Sequence, residues 1–202
     1  GLGDVYKRQT QMKAITTSQL AGLTTTDIGE LATTQIAALS GEQLKSLSAA
    51  GVSAMTTTQV NALSNSQIQS LTATQLKGLS ATDIGELTAT QVGALSNIQI
   101  GTLVATQVQG LTTTQIGGLT ASQVGVLSTT SLNQLATTQV AALNGTQIKA
   151  LKADQLKDLS STNIGALTTT QVGALAATQI GGMATAFSSL NSTQVGALAN
   201  TQ

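Results

Sequence analysis

Two stretches of the chain carry paired acids: Asp27 and Glu30 in TTDIGEL, and Asp83 and Glu86 in ATDIGEL. Carboxylates three residues apart share one face of a helix, where they could hold a cation or divide acid and base work between them. Neither pair has a further acid or an imidazole close by in sequence, and the chain has no Cys, His, Trp or Pro. A Cys/His zinc site, a disulfide framework, a thiol nucleophile and an imidazole base are therefore excluded. Asp at these places also has a structural use, because it accepts hydrogen bonds in the first turn of a helix and suits its positive end. That use is the reading adopted. The glycines follow a repeat and do not form a phosphate loop between a strand and a helix. No catalytic residue, no cofactor-binding residue and no metal ligand is predicted. No cofactor is expected, and the chain reads as non-enzymatic.

The remaining polar features are equally bland. Lys45, Lys77, Lys149 and Lys157 recur at one repeat position, as do Asn61 and Gln69, which marks a solvated face. Asn144-Gly-Thr and Asn191-Ser-Thr match the glycosylation sequon, a match that arises easily in so Thr-rich a chain. Acidic and basic residues number 8 each in 202, only 8% of residues are charged, and none lies from Leu87 through Ile148. Such a chain offers no basic footprint for nucleic acid or for an anionic membrane surface. Mean hydropathy is +0.20. Thr, Ser, Gln or Asn nevertheless interrupts every apolar run well short of the roughly 18 to 20 residues a membrane span requires. Low charge on a Thr/Gln/Ala surface favours self-association, end to end between repeat arrays, as the partner to expect.

What would position any of these groups is a repeat of eight. Counting from its Leu, position 1 is Leu23, Leu31, Leu39, Leu47, Met55, Leu63 and so on to Leu175 and Met183. Position 6 is Val, Ile or Leu throughout, from Ile28 and Ile36 to Ile180. Position 5 is mostly Gln, position 4 mostly Thr, position 2 commonly Ser or Thr, and positions 7 and 8 mostly Gly or Ala. The consensus is L-[ST]-x-T-Q-[VI]-[GA]-[AG]. Eight steps of about 100° leave the next Leu rotated by about 80°, so one long amphipathic helix would wind its apolar stripe away from any single core. A coiled coil, which needs a 3.5-residue repeat, is excluded for the same reason.

Each unit instead spells a helix start. Ser or Thr at position 2 is a preferred N-cap, and Gln, Asp or Glu three residues later completes a capping box. Position 1 and position 6 then form the hydrophobic staple that fixes how the chain enters the helix. Thr168 with Gln171, and Leu167 with Val172, fill all four roles. The prediction is an all-α solenoid or superhelix of very short helices, six or seven residues each, one per octapeptide. Helices this short are unstable alone and must stack cooperatively. The alternative is a β-solenoid, since Thr, Val and Ile favour strands. In that version the T-x-T pairs, such as Thr88/Thr90 and Thr168/Thr170, would form an ice-binding Thr array. The apolar spacing alternates between five and three, which breaks strand alternation unless a corner falls inside every unit.

Residues 10–202 read as a single solenoid. It is irregular at 183–190, where the Met183 unit is one residue short and Phe187 stands at the Gln position. That irregularity reads as a packed kink before it reads as a recognition bump. Residues 1–9, GLGDVYKRQ, lie outside the repeat, lack the apolar core of a signal peptide, and resemble sequencing-adapter read-through in open reading frames from environmental DNA. The stop in mid-repeat at Ala199-Asn-Thr-Gln202 predicts a fragment of a longer protein. Over residues 10–202 the octapeptide resembles the tandem-repeat solenoid segments of large predicted bacterial surface or secreted proteins. That resemblance implies a spacer, stalk or adhesin-like scaffold and an extracellular or cell-surface location.

Overall fold

A computed structural model describes residues 10–198. Between Thr17 and Gly196 it contains 22 α-helices of five or six residues and one 3-10 segment. No strand occurs among the described residues. The β-solenoid alternative is thereby corrected, and with it the flat Thr array. Thr at position 2 caps a helix and Thr at position 4 sits in its first turn, so the pair never lies along a pleated face.

The octapeptide sets both ends of each helix. Thr168 is extended (φ −72°, ψ 160°), and its hydroxyl accepts the Gln171 N–H at 3.2 Å while its own N–H donates to Gln171 Oε1 at 2.7 Å. Seven residues later Leu175 is extended again (φ −61°, ψ 140°), and its N–H donates to Val172 O. Two extended residues, positions 1 and 2, thus form the whole connection between one helix and the next. The helices are up to a residue shorter than the six or seven expected. In the five-residue ones the residue at position 8, such as Ala62 (φ −76°, ψ −10°), closes the last turn as a C-cap. Ala32, Val104, Ala136, Lys152 and Ala176 stand at position 2 without a side-chain cap. Their backbone N–H groups still donate to the glutamine three residues on.

The chain divides into two compact units, one up to Thr102 and one from Leu103 onward. In the first, Thr57–Asn61 packs on Thr33–Ala37 and Ala73–Gly78 packs on Ala49–Ser53, each pair three helices apart. In the second, Gly145–Ala150 packs on Ala121–Gly125 and carries Thr169–Ala174 in the same way. Three octapeptides therefore close one turn in each unit, a number the sequence alone leaves open. Position 6 forms the innermost layer, with Ile28, Leu44, Ile68, Ile116 and Ile148 fully buried, and the position 1 leucines lie just outside it.

The short unit after Met183 is absorbed locally. Ala184–Ser189 winds as a 3-10 helix, whose rise per residue is greater than that of an α-helix. It packs on Ser161–Gly165, three elements earlier, as its α-helical counterparts do. Phe187 is half-buried in this segment. Residues 1–9 and 199–202, on which the adapter and fragment expectations rest, lie outside the described residues.

Candidate functional site

The paired acids are consumed by the fold. Asp27 Oδ2 accepts the Thr24 hydroxyl at 2.7 Å and the Thr24 N–H at 2.8 Å. These two bonds, the hydroxyl first, hold its carboxyl below the ordinary value of 3.8. Asp83 is buried, and its Oδ2 accepts the Ser80 hydroxyl and N–H at 2.7 and 3.0 Å. Its Oδ1 accepts the Thr57 hydroxyl from the turn below at 3.0 Å. Glu30 and Glu86 are exposed. No group of three acids, His or Cys that could hold a metal ion forms among the described residues.

The other singled-out residues also take structural places. Lys45, Lys77, Lys149 and Lys157 are exposed, and Lys45 pairs with Glu42 at 2.8 Å within its own helix. Gln69 and Asn133, at the same position 7, instead reach the following turn, where they donate to Ala94 O and Asp158 O at 2.8 Å. Both sequon asparagines are N-caps, with Oδ1 accepting Gln147 N–H and Gln194 N–H at 3.0 and 2.9 Å. Two shallow grooves occur. One, of about 500 Å³, lies beside Asn144 and Lys149. The other, of about 1190 Å³, runs past Thr16, Ser40 and Ser64, the N-caps of three successive turns, with Lys13 as its one charged lining residue. Neither gathers acids and bases at a common point.

The polar constellation that does exist is a ladder of buried amides at position 5. Gln75 is 2% exposed; its Oε1 accepts Thr72 N–H at 2.9 Å, and its Nε2 donates to Leu44 O and Leu47 O, both at 2.8 Å. Gln59 does the same to Ile28 O and Leu31 O, and Gln99 to Ile68 O and Leu71 O. In the second unit Gln147 holds Ile116 O and Leu119 O, Gln171 holds Val140 O and Leu143 O, and Gln179 holds Ile148 O and Leu151 O. Every bond spans 28 or 31 residues and ties the start of one helix to the end of another a turn below. The position 1 carbonyls are ones a helix end leaves without a partner inside the helix, while the position 6 carbonyls also accept the N–H of the Leu three residues on. Asn163 keeps the function with one bond, to Leu132 O at 2.8 Å. Past the shortened unit, Gln194 still reaches Leu167 O at 2.6 Å, now 27 residues back.

Reasoning from the capping box alone missed this second role, although a signal was present. A capping box accepts Glu as readily as Gln, yet position 5 holds Gln, or occasionally Asp, Asn, Ser, Gly or Phe, and nowhere Glu. A carboxylate of that length would face carbonyl oxygens with nothing to donate. The exclusion of Glu marks a site that needs the amide N–H groups as well as the amide oxygen.

A family model described as the ALTTAQ repeat matches residues 37–73. Its six letters fall on positions 8 and 1 to 5, as in Ala62-Leu-Ser-Asn-Ser-Gln67, so the last letter is the ladder glutamine. No curated protein matches the chain. The stretch is similar to that repeat family.

Proposed function

We propose that the chain is a non-enzymatic repeat scaffold, a spacer or self-associating module within a larger protein. One observation carries this reading. Polar side chains that another fold would spend on chemistry are committed here to holding turn upon turn, and among the described residues no buried side-chain nitrogen or oxygen is left without a hydrogen-bond partner. Of the paired acids, Asp27 and Asp83 are bound to caps. The likeness of residues 37–73 to a repeat family points the same way. The resemblance to surface and secreted repeat proteins adds an extracellular or cell-surface location to the proposal.

The spacer role is tested by placing the chain between two fluorescent reporter domains and measuring their separation as turns of three octapeptides are removed or added. A separation that steps with the number of turns is expected; one independent of that number overturns the role. Self-association is tested by light scattering from micromolar to millimolar protein. Mass rising with concentration is expected, and a mass fixed at the monomer value removes this part.

A further inference from the structure

We propose that each compact unit is an extensible element that yields one turn at a time under tension. The inference rests on the scaffold reading and adds a mechanical role to it. Three observations support it.

The packing within each unit joins a helix to the one three places away, so each turn is held by the turns directly above and below. The bonds that hold it are also directed from one turn to the next. Gln67 Nε2 reaches Leu39 O at 2.7 Å and Gln75 Nε2 reaches Leu47 O at 2.8 Å, so separating two turns loads the amides between them. Finally, most units meet the turn below through the same chemistry: position 5 amides onto carbonyls of positions 6, 7 and 1. A stack of near-identical seams contains no single strongest layer that must break before the rest. A turn at the edge of the folded stretch, held on one side only, is released first, and its release exposes the next. Quasi-one-dimensional repeat arrays unfold in this nearest-neighbour manner.

Local variation gives the seams an order of yielding. Where Asp83, Gly51 or Ser131 replaces the glutamine, no amide is supplied. Thr57 offers Asp83 a single hydroxyl bond instead.

The test uses single-molecule force extension on the full chain carrying Ser18→Cys and Thr90→Cys as attachment points. Both residues are exposed, both occupy position 4, and they stand three turns of 24 residues apart. The chain has no native Cys to compete for the handles. Stretching is expected to show three successive lengthenings, each of at most about 80 Å, the contour of 24 residues. One abrupt lengthening of the whole interval overturns the proposal. In a second chain, Gln67→Met on the same background removes one amide of one seam. One of the three events is expected to move to lower force while the other two stay. A uniform shift of all three contradicts independent seams. A single lengthening in a chain whose reporter separation still steps with turn number defeats this inference and leaves the spacer intact. Stepwise lengthening without that separation behaviour does the reverse.

Discussion

At the scale of the residue, the fold depends on an amide that acts in two directions. The Gln75 oxygen accepts from the start of its own helix, and its nitrogen donates to two carbonyls a turn away. Gln75→Met keeps the bulk and removes both functions. It should cost about 1 to 3 kcal/mol in urea unfolding, the penalty for the Leu47 carbonyl and the Thr72 N–H losing their partner, with little dependence on pH. Gln75→Glu restores the acceptor but sets a carboxylate against those carbonyls, and the expected loss at neutral pH is about 3 kcal/mol or more. Burial without a donor raises the folded-state value of that new carboxyl above its unfolded one. Its protonated form is therefore favoured by folding, and the variant should recover stability as pH falls and lose it as pH rises. Equal cost at pH 4 and pH 8 would refute the argument. Asp27 has the opposite sign. Its carboxyl is held low by the Thr24 hydroxyl and then the Thr24 N–H. The stability it adds is present above the unfolded carboxyl range and fades as pH drops through the lowered folded value. The gap in melting temperature between the native chain and Thr24→Val should accordingly narrow below about pH 4.

At the scale of the element, each helix is a start signal repeated before the previous helix can lengthen. Ala136 provides a natural test, since it stands at an N-cap with no side-chain bond while its N–H already donates to Gln139 Oε1. Ala136→Thr supplies the missing acceptor and should add about 1 kcal/mol. A loss would mean that the outer face at this position is sterically occupied. The glycines at the helix ends separate two effects within one helix. A Cβ on Gly181 meets nothing within 4 Å, whereas one on Gly182 would lie 2.9 Å from the Ala153 Cβ on the turn below. Gly181→Ala should stabilise by about 0.5 to 1 kcal/mol through helix propensity, and Gly182→Ala should destabilise by about 1 to 3 kcal/mol through overpacking. Changes of the same sign in thermal melts would contradict that assignment. Much of this level was legible in the sequence: the period of eight, the staple of positions 1 and 6, and Thr168 with Gln171 as a start signal. What it left open was how far the chain turns at each Leu-Thr junction. That depends on two extended residues whose angles are fixed by packing against the turn below, not by their own preferences. The number of units per turn, and with it the partners of Gln75, could not be read from a consensus that is the same in every unit.

At the scale of the molecule, equivalence of the units makes a prediction that a fold with a unique core would not share. Deleting residues 63–70 joins Ala62 to Leu71 and removes one whole octapeptide. Gln75 then occupies the place of Gln67, above the carbonyls of Ile36, Ala37 and Leu39 that Gln67 now holds. The repeat phase is kept throughout: Leu replaces Leu at position 1, and one of Leu, Ile or Val replaces another at position 6, as Leu76 replaces Ile68. The helices of the first unit lose one member and restack on neighbours of the same kind. Deleting residues 63–66 alone removes half a unit instead. It places Gln67 in the slot of the buried Leu63 and Ile68 in the slot of the exposed cap Ser64. The polar amide would then be buried without its carbonyls, and the isoleucine would face water. The eight-residue deletion should keep the helical signal per residue in far-UV circular dichroism and lower the urea midpoint only modestly. The four-residue deletion should lose helical signal across the first unit. If both deletions unfold the chain alike, the octapeptides are not interchangeable, and the turn-by-turn account of the ladder fails with them. If the longer deletion is tolerated and the shorter is not, chain length can change in steps of eight without a new core being built, which is the property a spacer built from one repeated unit requires.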